Sequence, residues 1–230
     1  MFKHHGFSFV GLIVVLVIIS ILICILPPIL DAIRINNRHS QNATQIRGIH
    51  AGFVLFSQDN NSYFPGFDNA GSRMEDYSVE FRFQELLDDN YFTGEYLISP
   101  RETKTVWKQG KLTSDMYSYA LLNLSDLEGN SIKEWRYTNN PEAIALSDRA
   151  IAMDDEGHLR SVHTNPSDKS ITEWSGDIGW NDNHVSFEKN TEISTQYGDV
   201  SVPNDNIFNT TNGSMVYSGN DTIIDTSSLK

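Results

Sequence analysis

The residues best suited to chemistry in this sequence are carboxylates and imidazoles in its second half. Asp148, His163, Asp182 and His184 combine the two groups that serve in general acid–base catalysis and metal binding. They can converge in the folded chain, or they can be solvated loop residues and hydrogen-bonding partners in a hairpin turn. The sequence has no G-x-S-x-G, no H-E-x-x-H and a single cysteine, Cys24, so no hydrolase motif favours convergence. We predict no catalytic residues and no enzymatic activity.

Two short polar stretches carry oxygen atoms that can hold Ca²⁺. They are Asp154-Asp155-Glu156-Gly157 and Asn181-Asp182-Asn183. Known calcium loops space their oxygen ligands regularly along the chain, and neither stretch has such spacing. We therefore interpret both stretches as turns and predict no cofactor and no metal, with Asp154, Asp155 and Asp182 as the weak candidates for calcium.

Asp182, Asn183 and His184 fall in the clearest predicted hairpin. Residues 178–180 and 184–187 have the composition of short strands, and Val185 and Phe187 alternate with polar neighbours. Asn and Asp tolerate the positive φ angles that tight hairpin turns require. The chain is therefore expected to form a hairpin whose turn is Asn181-Asp182-Asn183, with His184 at the start of the second strand.

The elements that must position these residues are one long helix and a set of short strands. Apolar residues recur three or four apart up to Asp59, which predicts a helix over about 9–59, bent at Pro27-Pro28. A shorter helix is expected over 79–90. Short apolar runs bounded by turn residues predict strands at 116–122, 143–147 and 158–162. The chain after Thr191 is rich in Asn, Thr, Ser and Asp, and both edge strands and partial disorder are consistent with it.

The beginning of the chain is strongly apolar. Residues 7–26 contain no charged side chain, and a helix of about 20 such residues matches the hydrocarbon thickness of a bilayer. No small-residue cleavage site follows, because the run continues into Pro27-Pro28. The pattern predicts a retained, single-pass membrane anchor.

The chain is acidic. Its formal net charge is −13, which repels phosphate backbones. We therefore predict no nucleic acid partner, and a single cysteine allows no disulfide within the chain.

The N-terminal segment KHHGFSFV (3–10) resembles a type IV prepilin leader. In that family a short basic leader ends in Gly, a membrane peptidase cuts after it, and the new N-terminal residue is methylated. The resemblance implies cleavage after Gly6 and methylation of Phe7.

Other segments are similar to pilin- and pseudopilin-like families of the planctomycete type, related to the type II secretion G protein. They are NATQIRGIHAGFVLFSQDNNSYFP (42–65), LISP (97–100), ALSDR (145–149) and GWNDNHV (179–185). Three features depart from the family. Gly11 stands where polymerising pilins carry Glu, so the usual ion pair with a neighbouring subunit's N-terminal amine is missing. Asp182-Asn183 replaces the usual Asp-Gly, and Thr172 replaces an upstream His.

The resemblance implies an α+β, pilin-like fold in which a long N-terminal helix, membrane-spanning in its first half, packs on a small antiparallel sheet. The expected divisions are a leader (1–6), a transmembrane half-helix (7–30), a head (31–190) that includes the amphipathic half-helix 31–59, and a polar extension (191–230). The expected location is the inner membrane, with the N-terminus cytoplasmic and the head periplasmic or extracellular.

The function that the resemblance implies is that of a structural subunit of a type II secretion or type IV pilus-like filament. Its expected partners are a prepilin peptidase, the membrane, and other pilin-like subunits or copies of itself. The alternative is an anchored surface binding protein that does not polymerise and uses the leader only for delivery. Gly11 favours the alternative, and the breadth of the family pattern favours the structural subunit.

Overall fold

The computed structural model describes residues 9–153, 158–164, 173–209 and 214–224, and the side chains of 24–36, 152 and 153 lie outside the described set. Two compact units are present, residues 1–40 and residues 41–230. The second unit, called the head below, contains the sheets and the hydrophobic core. Each unit is considered by itself.

Helix α1 extends over Phe9–Asp59. Among the described residues, no helix is both long and apolar enough to cross a membrane. The predicted pilin-like fold class with a membrane-spanning first half is therefore wrong. The predicted single-pass location in the inner membrane is wrong for the same reason.

The part of α1 that belongs to the head, residues 41–59, is amphipathic. Ile46, Ile49 and Phe53 are fully buried, and their spacing of three and four places them on one face of the helix. Asn42 and His50 lie on the same face and are also buried. Two polar side chains thus enter the core from a helix face that is otherwise apolar.

The head is α+β and is built on a five-stranded antiparallel sheet. Its strands are β1 (Tyr119–Leu122), β2 (Ile144–Asp148), β5 (Gly176–Trp180), β6 (Val185–Glu188) and β9 (Met215–Val216), and they lie in the order β6-β5-β2-β1-β9. The central strands β1, β2 and β5 are buried along their whole length. Strands that are covered on both faces need no alternation of apolar and polar side chains, so these three strands lack the clear period of two that marks a half-buried strand.

Two further pairs of strands complete the described part of the chain. β3 (Ala152–Met153) pairs with β4 (Leu159–Arg160), and β7 (Glu192–Tyr197) pairs with β8 (Val200–Asn206). The sequence left both strands and disorder open after Thr191, and the described residues there form strands. One of them, β9, joins the edge of the main sheet beside β1.

Helix α2 (Val79–Asp88) also packs in the head. The Ser78 hydroxyl accepts a hydrogen bond from the Phe81 N–H at 3.2 Å, which caps the helix. Phe83 and Leu86 are fully buried, so the helix predicted over 79–90 is present and turns its apolar side chains inward.

His50 is the buried titratable group of the α1 face. Its ring packs edge-on to Phe53 and Phe64, with centroid distances of 6.3 and 5.8 Å. Burial lowers the pKa of His50 to about 4, although the Asp182 carboxylate and the Asn183 side chain favour the charged ring. The neutral ring is therefore the form that the core holds.

This depressed pKa predicts acid sensitivity of the head. A base whose pKa falls on folding contributes stability above its unfolded pKa of 6.5, and loses it as the pH falls toward the folded pKa of about 4. Between pH 7.5 and pH 5 the loss amounts to about 2 kcal/mol. The free-energy difference between the wild-type chain and His50→Leu, measured by urea unfolding, should shrink by that amount at pH 5. The exposed, non-titratable control Leu127→Ala should show no such change, and a difference for His50→Leu that does not vary with pH would contradict the assignment.

Candidate functional site

The candidate site is a group of polar side chains buried between α1 and the main sheet, called the carboxylate cluster here. Its members are Asn42, Tyr119, Asp148, His163 and Asp177. Asn42, Tyr119 and Asp148 are fully buried and Asp177 is 3% exposed, while the His163 side chain is 2% exposed. Buried charges are costly unless they are paired or hydrogen-bonded, so such a group requires a specific reason.

Strand register places the two carboxylates side by side. Ser147 of β2 pairs with Ile178 of β5, so the next antiparallel position sets Asp148, the last residue of β2, beside Asp177. On the other side of β2, Tyr119 of β1 pairs with Asp148. Asn42 comes from α1, one turn before Ile46. The cluster thus exists only when helix and sheet are docked in this register.

The Asn42 amide is the central donor of the cluster. Its Nδ2 lies 3.1 and 3.0 Å from Oδ1 and Oδ2 of Asp148 and 2.7 Å from Oδ2 of Asp177. An amide nitrogen has two hydrogens, so three carboxylate oxygens share two donors. The Oδ1 atom of Asn42 accepts from the Tyr119 hydroxyl at 2.9 Å.

Asp148 receives further contacts. Its Oδ2 accepts a hydrogen bond from the Asp177 backbone N–H at 2.7 Å and lies 2.8 Å from Nε2 of His163. The imidazole and the amide thus approach the same carboxylate.

The electrostatics of the cluster follow from its burial. Burial raises the pKa of Asp177 to about 6, and the neighbouring Asp148 carboxylate adds to the effect, while the Asn42 hydrogen bond opposes it. Burial also raises the pKa of Tyr119 well above its usual value, with further contributions from Asp148 and Asp177. The His163 ring and the Arg101 guanidinium also favour the charged form of Asp177. The site therefore holds two carboxylates, partly compensated by these groups, in a region that water does not reach.

Two kinds of chemistry suit this arrangement. Two close carboxylates can share a proton, or they can hold a cation together with an imidazole. One ligand atom from each of Asp148, His163 and Asp177 can be chosen so that all three lie within 4.8 Å of one another. The geometry is thus compatible with a metal centre.

The four residues that we predicted as possible partners form two separate pairs. Asp148 and His163 meet in the carboxylate cluster. Asp182 and His184 meet in the hairpin between β5 and β6, where Oδ1 of Asp182 lies 3.0 Å from the His184 backbone N and 2.5 Å from its Nδ1. The group with metal-ligand spacing among the described residues contains neither Asp182 nor His184.

The predicted hairpin turn is present, and its side chains stabilise it. Asn183 has a φ of 69°, the left-handed conformation that Asn tolerates. The His184 ring stacks on Trp180 at 5.3 Å. Burial acts to raise the pKa of Asp182, but hydrogen bonds from the His184 N–H and ring outweigh it and hold the pKa below its ordinary value. These contacts fit the turn interpretation of Asp182, Asn183 and His184.

Other predicted site residues fall elsewhere. Gly6 and Phe7, the expected cleavage and methylation positions, lie outside the described residues, as do the calcium candidates Asp154 and Asp155. Gly11 lies in the first part of α1. The predictions attached to these positions stay predictions.

Asn42 and Asp177 are the cluster members that the sequence analysis missed. Asn42 occupies a core position of the α1 stripe, four residues before Ile46, where a polar side chain needs a buried partner. Asp177 is a charged residue in a strand that is otherwise small or apolar, GDIGW (176–180). Both signals are visible in the sequence once the helix face and the strand are known.

Comparison with known proteins adds no assignment. No family model, no curated protein and no solved structure matches the chain. The comparisons therefore give no support for a pilin, a secretion-system component or a prepilin leader.

The cluster predicts a large cost for removing its central donor. Replacing Asn42 by Leu leaves three buried carboxylate oxygens without the amide and should lower the free energy of unfolding by roughly 2–4 kcal/mol. Urea unfolding of the full chain, followed by tryptophan fluorescence, measures the change. Asn37→Leu, on an exposed position of the same helix, is the matched control and should change stability by less than about 0.5 kcal/mol. Equal effects of the two substitutions would contradict the role of Asn42.

Proposed function

We propose that this chain is a structural subunit that associates with other copies of itself through residues 9–23 of α1 and displays the head. The observation that carries the proposal is the exposure of these apolar side chains on every side of the helix. Phe9 is 75% exposed, Leu16 54% and Ile23 65%. Exposed apolar surface on this scale is uncommon in monomeric proteins and marks a surface that associates.

The near absence of polar side chains in residues 9–23 supports association through apolar contact. Ser20 is its only hydroxyl, and that hydroxyl donates to the Leu16 carbonyl of the same helix at 2.8 Å. Gly11 supplies no side chain. Association of such a surface is driven by the release of water from apolar side chains, without an ion pair.

The head supports the role of a structural subunit through a separate observation. Its core includes the buried face of α1 and the buried strands of the main sheet, so it presents a folded surface that does not depend on residues 9–23. A binding protein that does not assemble is the alternative. Gly11 favours this alternative, since it lacks the carboxylate that would pair between subunits.

A charge placed in the apolar segment should disrupt association. Leu16→Asp removes a side chain whose burial contributes about 2–3 kcal/mol and adds a charge that resists burial. We expect association of the full chain to weaken on the order of 100-fold or more, measured by sedimentation velocity over a range of protein concentrations.

The matched control is Leu127→Asp. Leu127 lies in the head and is 54% exposed, the same fraction as Leu16. Its substitution should leave the sedimentation profile unchanged. A wild-type chain that stays monomeric at all concentrations, or equal effects of the two substitutions, would refute assembly through α1 and favour the binding protein.

A further inference from the structure

The geometry points to a binding site for one divalent transition-metal ion in the carboxylate cluster, with Asp148, His163 and Asp177 as ligands and the Asn42 side-chain oxygen as a fourth. Through Asn42, the ion would hold the 41–59 part of α1 against the main sheet. This site is separate from the apolar segment 9–23, and each can be tested without the other.

The spacing of the donor atoms matches a coordination shell. Ligands bound at about 2.1 Å in an octahedron lie about 3 Å from their neighbours and about 4.2 Å from the ligand opposite. His163 Nε2 and Asp148 Oδ2 are 2.8 Å apart. The distances from the Asn42 amide nitrogen to the carboxylate oxygens are 2.7 to 3.1 Å, which is the separation expected for neighbouring ligands.

The fourth ligand follows from a rotation of the Asn42 amide. A half-turn about its last bond exchanges Nδ2 and Oδ1, which are nearly the same size. Oδ1 would then face the carboxylates and could bind the ion. Nδ2 would face the Tyr119 hydroxyl, which can accept its hydrogen bond and donate its own hydrogen to Oε1 of Gln45, 3.3 Å away. Both orientations of the amide therefore keep Tyr119 hydrogen-bonded.

The donor types select the class of metal. Ca²⁺ and Mg²⁺ take oxygen ligands, whereas an imidazole nitrogen with carboxylates suits Zn²⁺ and Mn²⁺. Two carboxylates balance the charge of a divalent ion. The side chains of all four ligands are at least nine-tenths buried. A bound ion would coordinate the two carboxylates directly, where the hydrogens of the Asn42 amide now lie between them.

The test is metal binding to the full chain after removal of metals with a chelator. All variants carry His4→Gln and His5→Gln, because the imidazole pair near the start of the sequence competes for the same metals. Titration calorimetry with Zn²⁺, and separately with Mn²⁺, should give one ion per chain. Excess Zn²⁺ should raise the midpoint temperature of thermal unfolding by roughly 5–10 °C. The same concentration of Ca²⁺ or Mg²⁺ should raise that temperature far less.

Asp177→Asn keeps the shape of the side chain and should weaken Zn²⁺ binding on the order of 100-fold, as should His163→Gln. The matched control is the double substitution Asp182→Asn and His184→Gln, which removes the exposed Asp–His pair of the hairpin and should leave binding unchanged. Circular dichroism checks that each variant is folded.

Three results would overturn the proposal. The parent chain, which carries only His4→Gln and His5→Gln, binds no ion; Ca²⁺ binds as tightly as Zn²⁺; or the double variant of Asp182 and His184 loses binding while Asp177→Asn retains it. A second measurement applies if Asp177→Asn does not fold. Electron paramagnetic resonance of Mn²⁺ bound to the parent chain should then show coupling to one imidazole nitrogen that His163→Gln removes, and its absence overturns the proposal.

Discussion

The burial of two neighbouring carboxylates is the constraint on which the head depends. Asp148 and Asp177 are brought together by the pairing of β2 and β5, and both are nearly inaccessible to water. Their charges need compensation, and the Asn42 amide of α1 supplies part of it, together with His163 and Arg101. Asn42 therefore fixes the position of α1 on the sheet, and that position determines which residues of the stripe enter the core.

The two parts of α1 meet solvent in different ways. Residues 41–59 bury one face and combine apolar side chains with Asn42 and His50. Residues 9–23 bury no face against the part of the chain that the structure describes, and their side chains are almost all apolar. A surface of this kind lowers its free energy when another apolar surface covers it. This contrast within one helix is the physical basis for treating the chain as an assembling subunit with a separately folded head.

Local features of the fold could be predicted from the sequence, and long-range ones could not. The α2 helix, the hairpin at Asp182-Asn183 and the strand around Leu146 depend on neighbours in sequence, so periodicity and turn residues indicate them. The pairing of Asp148 with Asp177 depends on the register of distant strands, and the role of Asn42 depends on where α1 docks. The single-pass anchor was inferred from an apolar run alone, and the described helix residues do not support it.

The most direct test of assembly through α1 is photo-crosslinking from inside the apolar segment. A benzophenone amino acid at position 16 of the full chain reports which surface covers that part of the helix. If copies associate through residues 9–23, mass spectrometry should find covalent dimers whose linked peptide is the α1 segment of a second copy. Monomers alone, or links only to the head, would contradict the proposed role of the helix.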